Sequence, residues 1–280
     1  MKRLIALLLA LCMLACFAAC GSEPANNDAN AQEEETTSET WKSKSANYTF
    51  NDGIKLVFFQ GYIKFNADND KVPFPDYGDP LTSTEMTIAG ETVDAYSLEA
   101  LSKIWSAKPT ADLKVIDYAG NEYSMPAADL AKAYVGEYDE MGDLNGQEYL
   151  ALSHGALKAG SLEVKDVKYI IAESGDVFMF PRAGMDASKN QLKLVDIFEE
   201  IGWDLDLVYR FVCFDGFWNY IDSQESPASG GEEDGQAVLA ETVVCPLGSG
   251  GLNVSIPFLT RGGAGKMNDI FFVSVSEIIK

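Results

Sequence analysis

The chain has 280 residues, with 43 Asp and Glu against 21 Lys and Arg, so its formal net charge is −22. This acidic balance argues against a nucleic-acid-binding protein, which needs a basic surface, and against adsorption to anionic lipid through a basic patch. Because 47% of the residues are hydrophobic, most of the chain can bury a core. With His154 as its only histidine, the chain cannot form a zinc site of several histidines.

Residues 1–19 have the pattern of an export signal. A positive start, Lys2-Arg3, precedes an uncharged run of 16 residues, Leu4–Ala19. That run is shorter than the roughly 20 residues of a spanning helix and suits a signal peptide. It ends in Phe17-Ala18-Ala19-Cys20, which resembles the lipobox of bacterial lipoproteins.

In that family the cysteine is acylated on sulfur and becomes the first residue after cleavage. The resemblance therefore implies a signal peptide over residues 1–19, lipidation of Cys20 and an extracytoplasmic location on the cell membrane. An ordinary cleaved signal and an uncleaved anchor are the alternatives.

Residues 20–45 are predicted to form an acidic, disordered tether. The segment contains Trp41 as its only aromatic residue and six acidic residues, namely Glu23, Asp28, Glu33, Glu34, Glu35 and Glu39. It cannot bury enough apolar area to offset its chain entropy, and its like charges keep it extended. A calcium site is disfavoured because the D-x-D-x-D-G spacing is absent.

Beyond residue 46, the same order of elements occurs twice. Apolar residues at helical spacing from Leu98 precede a strand over 113–118 and then Gly120, and the same order runs from Leu194 through a strand over 208–214 to Gly216. Coincidence is the alternative, since a helix followed by a strand is common. We predict an α+β fold of mostly antiparallel strands with few helices, a two-fold internal repeat, and halves over 46–175 and 176–280.

A further resemblance rests on the repeat, on Asp215-Gly216-Phe217 and on the closing strands, Val164–Ile171 and Lys266–Val273. Together they resemble, in tandem and degenerate form, the molybdopterin-binding domain of sulfite-oxidase-type enzymes. In that family a cysteine thiolate ligates molybdenum, and Arg, His and Lys side chains hold the pterin. Cys213 does not match the position of that cysteine, so the resemblance implies a shared scaffold more than a shared activity.

The cysteines after Cys20 are Cys213 and Cys245. A pair in an exported protein predicts a disulfide, and two buried thiols are the alternative. A redox role is disfavoured because there is no C-x-x-C spacing.

The candidate ligand-binding residues are Arg182, Arg261, Asp215 and Trp218. The two arginines lie in glycine-containing loops, which can bind a carboxylate or phosphate. The other two belong to an aromatic cluster that can bind sugars, peptides or cations. For the two arginines, the alternative is that their loops are surface turns in which each arginine pairs with a local carboxylate. For the aromatic cluster, the alternative is packing in the core. His154 is interpreted as a surface residue, because nothing in the sequence fixes the geometry of a catalytic triad.

These patterns favour a membrane-anchored, non-enzymatic module that binds a small anion, a glycan or a protein, without a cofactor. No catalytic residue and no metal ligand are predicted. The alternative is an exported, molybdopterin-dependent oxidoreductase.

Overall fold

Strands dominate the computed structural model, which describes residues 49–59, 81–184, 191–214, 217–223, 234–246, 252–256 and 266–279. All of them belong to one compact unit, Glu39–Lys280. The predicted signal peptide, tether and Cys20 lie outside the described residues, as do Asp215 and Arg261.

The described strands are β1 (Thr49–Phe58), β2 (Thr84–Ile88), β3 (Glu91–Ser97), β4 (Leu113–Asp117), β5 (Glu122–Met125), β6 (Ala133–Leu144), β7 (Gln147–Ala159), β8 (Leu162–Ile171), β9 (Val177–Met179), β10 (Leu192–Lys193), β11 (Val208–Cys213), β12 (Trp218–Asp222), β13 (Val243–Pro246), β14 (Leu252–Ser255), β15 (Lys266–Met267) and β16 (Ile270–Ile279). The described helices are α1 (Leu98–Leu101), α2 (Leu194–Ile201) and α3 (Gly235–Glu241), with 3₁₀ turns at Ser102–Ile104 and Ala127–Lys132.

Twelve of these strands form one sheet, in the order β12-β11-β16-β1-β9-β8-β7-β6-β3-β2, with β4 paired to β8 outside this order and β5 paired to β4. The β1–β9 pairing is parallel, whereas β1–β16 and β8–β9 are antiparallel. A second sheet has the order β10-β13-β14-β15. The fold class needs correction, because the fold is mostly β and its main sheet is mixed, so the predicted α+β label with few helices is only roughly compatible with it.

The second half of β1 is buried on both faces of the sheet. Successive side chains of a strand point to opposite faces. Leu56 and Phe58 of β1 pack into a core with Phe198 of α2, whereas Val57 of β1 and Phe59, the residue after the strand, pack into a core with Trp105. All four side chains have 0% of their surface exposed. The continuous apolar run of β1 follows from this two-sided burial.

Helix α2 covers the first of these cores. Its side chains Leu194, Ile197 and Phe198 recur at helical spacing and are buried. The helix ends at Gly202, whose left-handed φ of 77° favours glycine. The apolar stripe that begins at Leu194 therefore predicted this helix, whereas the stripe at Leu98 yields only the four residues of α1.

The described residues show no two-fold internal repeat, so that prediction is wrong. The β4–β5 hairpin beside β8 and the β11–β12 hairpin beside β16 share a local register shift, at Asp117 and at Cys213. The likeness ends there. After β5 the chain forms two long strands of the main sheet, whereas after β12 it forms α3 and the second sheet. The equal spacings that follow Leu98 and Leu194 thus reflect one similar local unit, a hairpin beside another strand, and not a repeated half.

The predicted boundary between the halves falls between two paired strands. Residues 175 and 176 lie between β8 and β9, and Tyr169 of β8 pairs with Met179 of β9. On its other side β9 pairs with β1.

Candidate interaction surface

The two longest strands, β6 and β7, form a hairpin. Their pairing runs from Ala133 with Ala159 to Leu144 with Gln147. The turn between them is Asn145-Gly146, with φ values of 58° and 79°. Two residues with positive φ are typical of the tight turn whose twist matches that of the flanking strands.

The outer part of this hairpin extends beyond the strands that flank its inner part. β6 pairs with β3 only through Tyr134 and Val135, and β7 pairs with β8 only as far as Gly155. Within the described part of the chain, residues 139–152 thus form a two-stranded ribbon with no third strand. We call residues 139–152 the hairpin arm.

The arm exposes large apolar side chains. Met141 is 54% exposed and Leu144 is 65% exposed. Among the described residues, Ile279 is the one other large hydrophobic residue with a comparable exposure, at 52%. The two residues are three positions apart in a regular part of β6, so they point to opposite faces of the arm, and each face presents one exposed apolar side chain for contact.

The arm is also strongly acidic. The stretch 133–157 contains no Lys or Arg and has five acidic residues, namely Glu137, Asp139, Glu140, Asp143 and Glu148. Because charges of one sign on a projecting element reinforce one another, the apolar end of the arm carries a negative potential.

His154 lies at the base of the arm, between two carboxylates. Its ring stacks on Tyr138 of the opposite strand, with centroids 5.0 Å apart and an interplanar angle of 11°. Its Nδ1 lies 2.8 Å from Oδ1 of Asp166, and its Nε2 lies 3.1 Å from Oε2 of Glu140. The imidazole thereby joins both strands of the arm to β8.

Asp166 connects this histidine to Arg182. The guanidinium of Arg182 donates to both carboxylate oxygens of Asp166, at 3.0 Å from Nε and through a close contact from Nη2. Burial opposes ionisation of Asp166, but the hydrogen bonds from Arg182 and His154 outweigh it and lower the pKa of this carboxyl. Asp166 has a φ of 55°, a conformation that aspartate tolerates better than most residues.

Arg182 is held in turn by Tyr118. The guanidinium carbon lies 4.2 Å from the centre of the tyrosine ring. The backbone N–H of Arg182 donates to the tyrosine hydroxyl at 3.0 Å, and that hydroxyl donates to the carbonyl of Phe180 at 2.8 Å. We refer to Tyr118, Glu140, His154, Asp166 and Arg182 as the base network.

Glu137 also lies at the base of the arm, on β6. Burial, with a smaller effect from Asp139, raises the pKa of Glu137 to about 8. A raised carboxyl pKa means that the fold favours the protonated acid at this position.

Of the four predicted ligand-binding residues, Arg182 and Trp218 are described, and they belong to different clusters. Trp218 on β12 contacts Phe50, with ring centroids 5.1 Å apart. The guanidinium carbon of Arg210 lies 5.3 Å from the centre of the Trp218 ring. Arg182 instead pairs with Asp166 of β8 in the base network, a carboxylate from another strand and not one within its own loop.

The two predicted disulfide partners lie on different sheets. Cys213 on β11 is buried, with 1% of its surface exposed, in the same core as Val244. Cys245 follows Val244 directly on β13 and is half-buried, so its side chain points away from that core. The disulfide stays a prediction, which the intact mass with and without reductant would decide.

Sequence reasoning missed the base network and the arm. Asn145-Gly146 between two strand-forming runs is a strong hairpin signal. Regular pairing outward from that turn would bring Tyr138 opposite Ser153, and a register shift between Glu140 and Met141 brings it opposite His154 instead. The contacts to Asp166 and Arg182 come from other parts of the sheet and leave no such local signal.

The described arginines do not fit a pterin site well. The guanidinium of Arg182 donates to Asp166, and Nη1 of Arg210 donates to Asp52 at 2.8 Å. A pterin with its phosphate needs cations that converge on one cleft, and these two serve separate carboxylates. These residues therefore support no step through molybdopterin.

Within the described ranges, no three His, Cys, Asp or Glu side chains are placed to hold a metal ion. None of the helices described is both long and apolar enough to cross a membrane. No family model matches the chain, and no curated protein or solved structure is significantly similar to it.

Proposed function

We propose that this chain is a membrane-anchored, extracytoplasmic lipoprotein and that its folded part binds a partner protein through the hairpin arm. The anchor rests on the lipobox-like Phe17-Ala18-Ala19-Cys20. The binding role rests on one observation, the exposure of Met141 and Leu144 on the arm.

The partner's chemistry follows from the arm. An apolar end ringed by carboxylates is complementary to an apolar cleft bordered by Lys and Arg. A second copy of this chain is a poor partner, because each copy has a net charge of −22 and brings the same acidic arm. An anionic lipid surface repels the arm for the same reason.

The test is site-specific photo-crosslinking of the full-length chain in its own host. A photoreactive residue replaces Met141 in one variant and Glu122, an exposed residue of β5, in the control. We expect a discrete protein adduct from position 141 and none from position 122. Identical adducts from both positions, or adducts to lipid or to a second copy only, would refute the proposal.

The identified partner is then purified and titrated with the wild-type chain and with the double variant Met141→Ser, Leu144→Ser. We expect about a tenfold or greater loss of affinity, with the unfolding temperature unchanged because both side chains are exposed. An unchanged affinity would remove the arm from the interface.

A further inference from the structure

A cavity of about 340 Å³ lies in the connection between β3 and β4. Its lining includes Glu99, Ser102, Lys103, Trp105 and Lys108. This volume lies within the range of pockets that hold small organic molecules. The arm contributes no lining residue, so the cavity is separate from the surface proposed above.

One wall of the cavity is fixed to the core. The backbone N–H and the hydroxyl of Ser106, another lining residue, both donate to Asp176, at 3.0 Å and 2.5 Å. Asp176 has 0% of its surface exposed and also accepts from the backbone N–H of Lys55 at 2.8 Å. A wall held by a buried carboxylate is already ordered, so a ligand meets a preformed shape.

Trp105 lines the cavity on the side of the core. Its ring packs on Phe178, with centroids 4.7 Å apart, and 5% of its surface is exposed. The indole Nε1 is buried and has no acceptor among the described residues.

The charged residues of the cavity are mainly positive, in an otherwise acidic chain. Two lysines, Lys103 and Lys108, line it together with one acid, Glu99. Lys108 and Glu99 form an exposed ion pair, 3.3 Å apart, and such pairs contribute little and open readily. Lys103 forms no ion pair with any described residue, so its ammonium is available to a ligand.

We propose that this cavity binds a small organic anion, a carboxylate carried on a flat apolar body. The carboxylate lies between the ammonium groups of Lys103 and Lys108, and the apolar body lies against the indole of Trp105. The proposal goes beyond the docking role of the arm and does not depend on it.

The test is calorimetric titration of the full-length chain with benzoate, with benzamide as the neutral probe of the same shape and with inorganic phosphate as an anion without an apolar body. We expect saturable binding of benzoate, and at least about tenfold weaker binding of the other two. Equal binding of benzamide, or of phosphate, or no saturable binding of benzoate, would overturn the proposal.

Variants locate the site. Lys103→Gln with Lys108→Gln is expected to weaken benzoate binding about tenfold, whereas Lys132→Gln, at an exposed lysine outside the cavity, leaves it unchanged. These lysines are exposed, so all variants should unfold at the wild-type temperature. Equal affinity in the double variant and the Lys132 control would place the anion elsewhere and overturn the proposal.

Discussion

Oδ1 of Asp166 lies 2.8 Å from Nδ1 of His154, and this hydrogen bond joins β8 to the base of the hairpin arm. The same carboxylate also accepts from Arg182. Asp166 is therefore the point at which the arm and the loop after β9 meet.

Asp166→Asn tests this connection. Asparagine tolerates the left-handed backbone of this position, so the variant removes charge with little added strain. We expect a loss of about 1–2 kcal/mol at neutral pH, measured by urea unfolding. The exposed Asp139→Asn is the control and should change the free energy of unfolding by less than about 0.5 kcal/mol.

The effect of Asp166→Asn should also depend on pH. The folded state lowers the pKa of Asp166, so its stabilising effect is present above the unfolded value, about 3.9, and is lost as the pH falls through the folded value. The variant should therefore approach wild-type stability in acid. A deficit that is the same at pH 7 and in strong acid would contradict the electrostatic explanation.

Glu137→Gln should have the opposite pH dependence. Burial raises the pKa of Glu137 to about 8, so the protonated acid stabilises the fold. That contribution is complete below the unfolded pKa, about 4.3, and is lost as the pH rises through about 8. We expect the variant to resemble wild type near pH 4 and to be more stable than wild type above pH 8. Thermal unfolding across this range would show it, and a variant less stable than wild type at high pH would refute it.

Asp176→Asn should strongly destabilise the protein. The Asp176 carboxylate accepts from two backbone N–H groups, those of Lys55 and Ser106, and from the hydroxyls of Ser106 and Ser174. An asparagine amide keeps one acceptor oxygen, but its NH₂ group would face N–H and O–H groups that now donate to the carboxylate. We therefore expect the free energy of unfolding to fall by about 2–4 kcal/mol.

The matched control is Glu173→Gln, three positions earlier. Glu173 also accepts several bonds, from Thr110 and Ala111, but it is exposed. A smaller loss is expected there, in urea unfolding under the same conditions. Equal losses at the two positions would show that burial does not determine the cost.

Gly155→Ala should overpack the core beneath the arm. An added Cβ would lie 2.7 Å from Cγ of Phe180, and such contacts cost about 1–3 kcal/mol. Combining it with Phe180→Leu should cost less than the sum of the two single variants. Strict additivity in denaturant unfolding would show that this contact is not the cause.

The sequence predicted local elements better than their assembly. The helical stripe from Leu194 and the strands predicted over 113–118 and 208–214 appear where their patterns place them. The equal spacings from Leu98 and Leu194 could not reveal that β9 lies between β1 and β8 in the sheet. Strand pairing depends on how side chains from distant parts of the chain pack on the buried faces of the sheet.

The candidate site was less predictable for a related reason. Arg182 was singled out by its glycine-containing loop, but its partner Asp166 comes from another strand. Exposure of Met141 and Leu144 depends on how far the arm extends past β3 and β8. Neither fact is encoded by residue type at a fixed spacing.

The position of β16 affects the order in which the protein can fold. β16 pairs with β11 on one side and with β1 on the other, so a strand formed late in the chain joins segments made much earlier. While residues 270–279 are still being synthesised, β1 and β11 lack the strand that joins them. Until β16 is available, the hairpin of β11 and β12 cannot join the part of the sheet that contains β1, and such late long-range pairing is intrinsically slow.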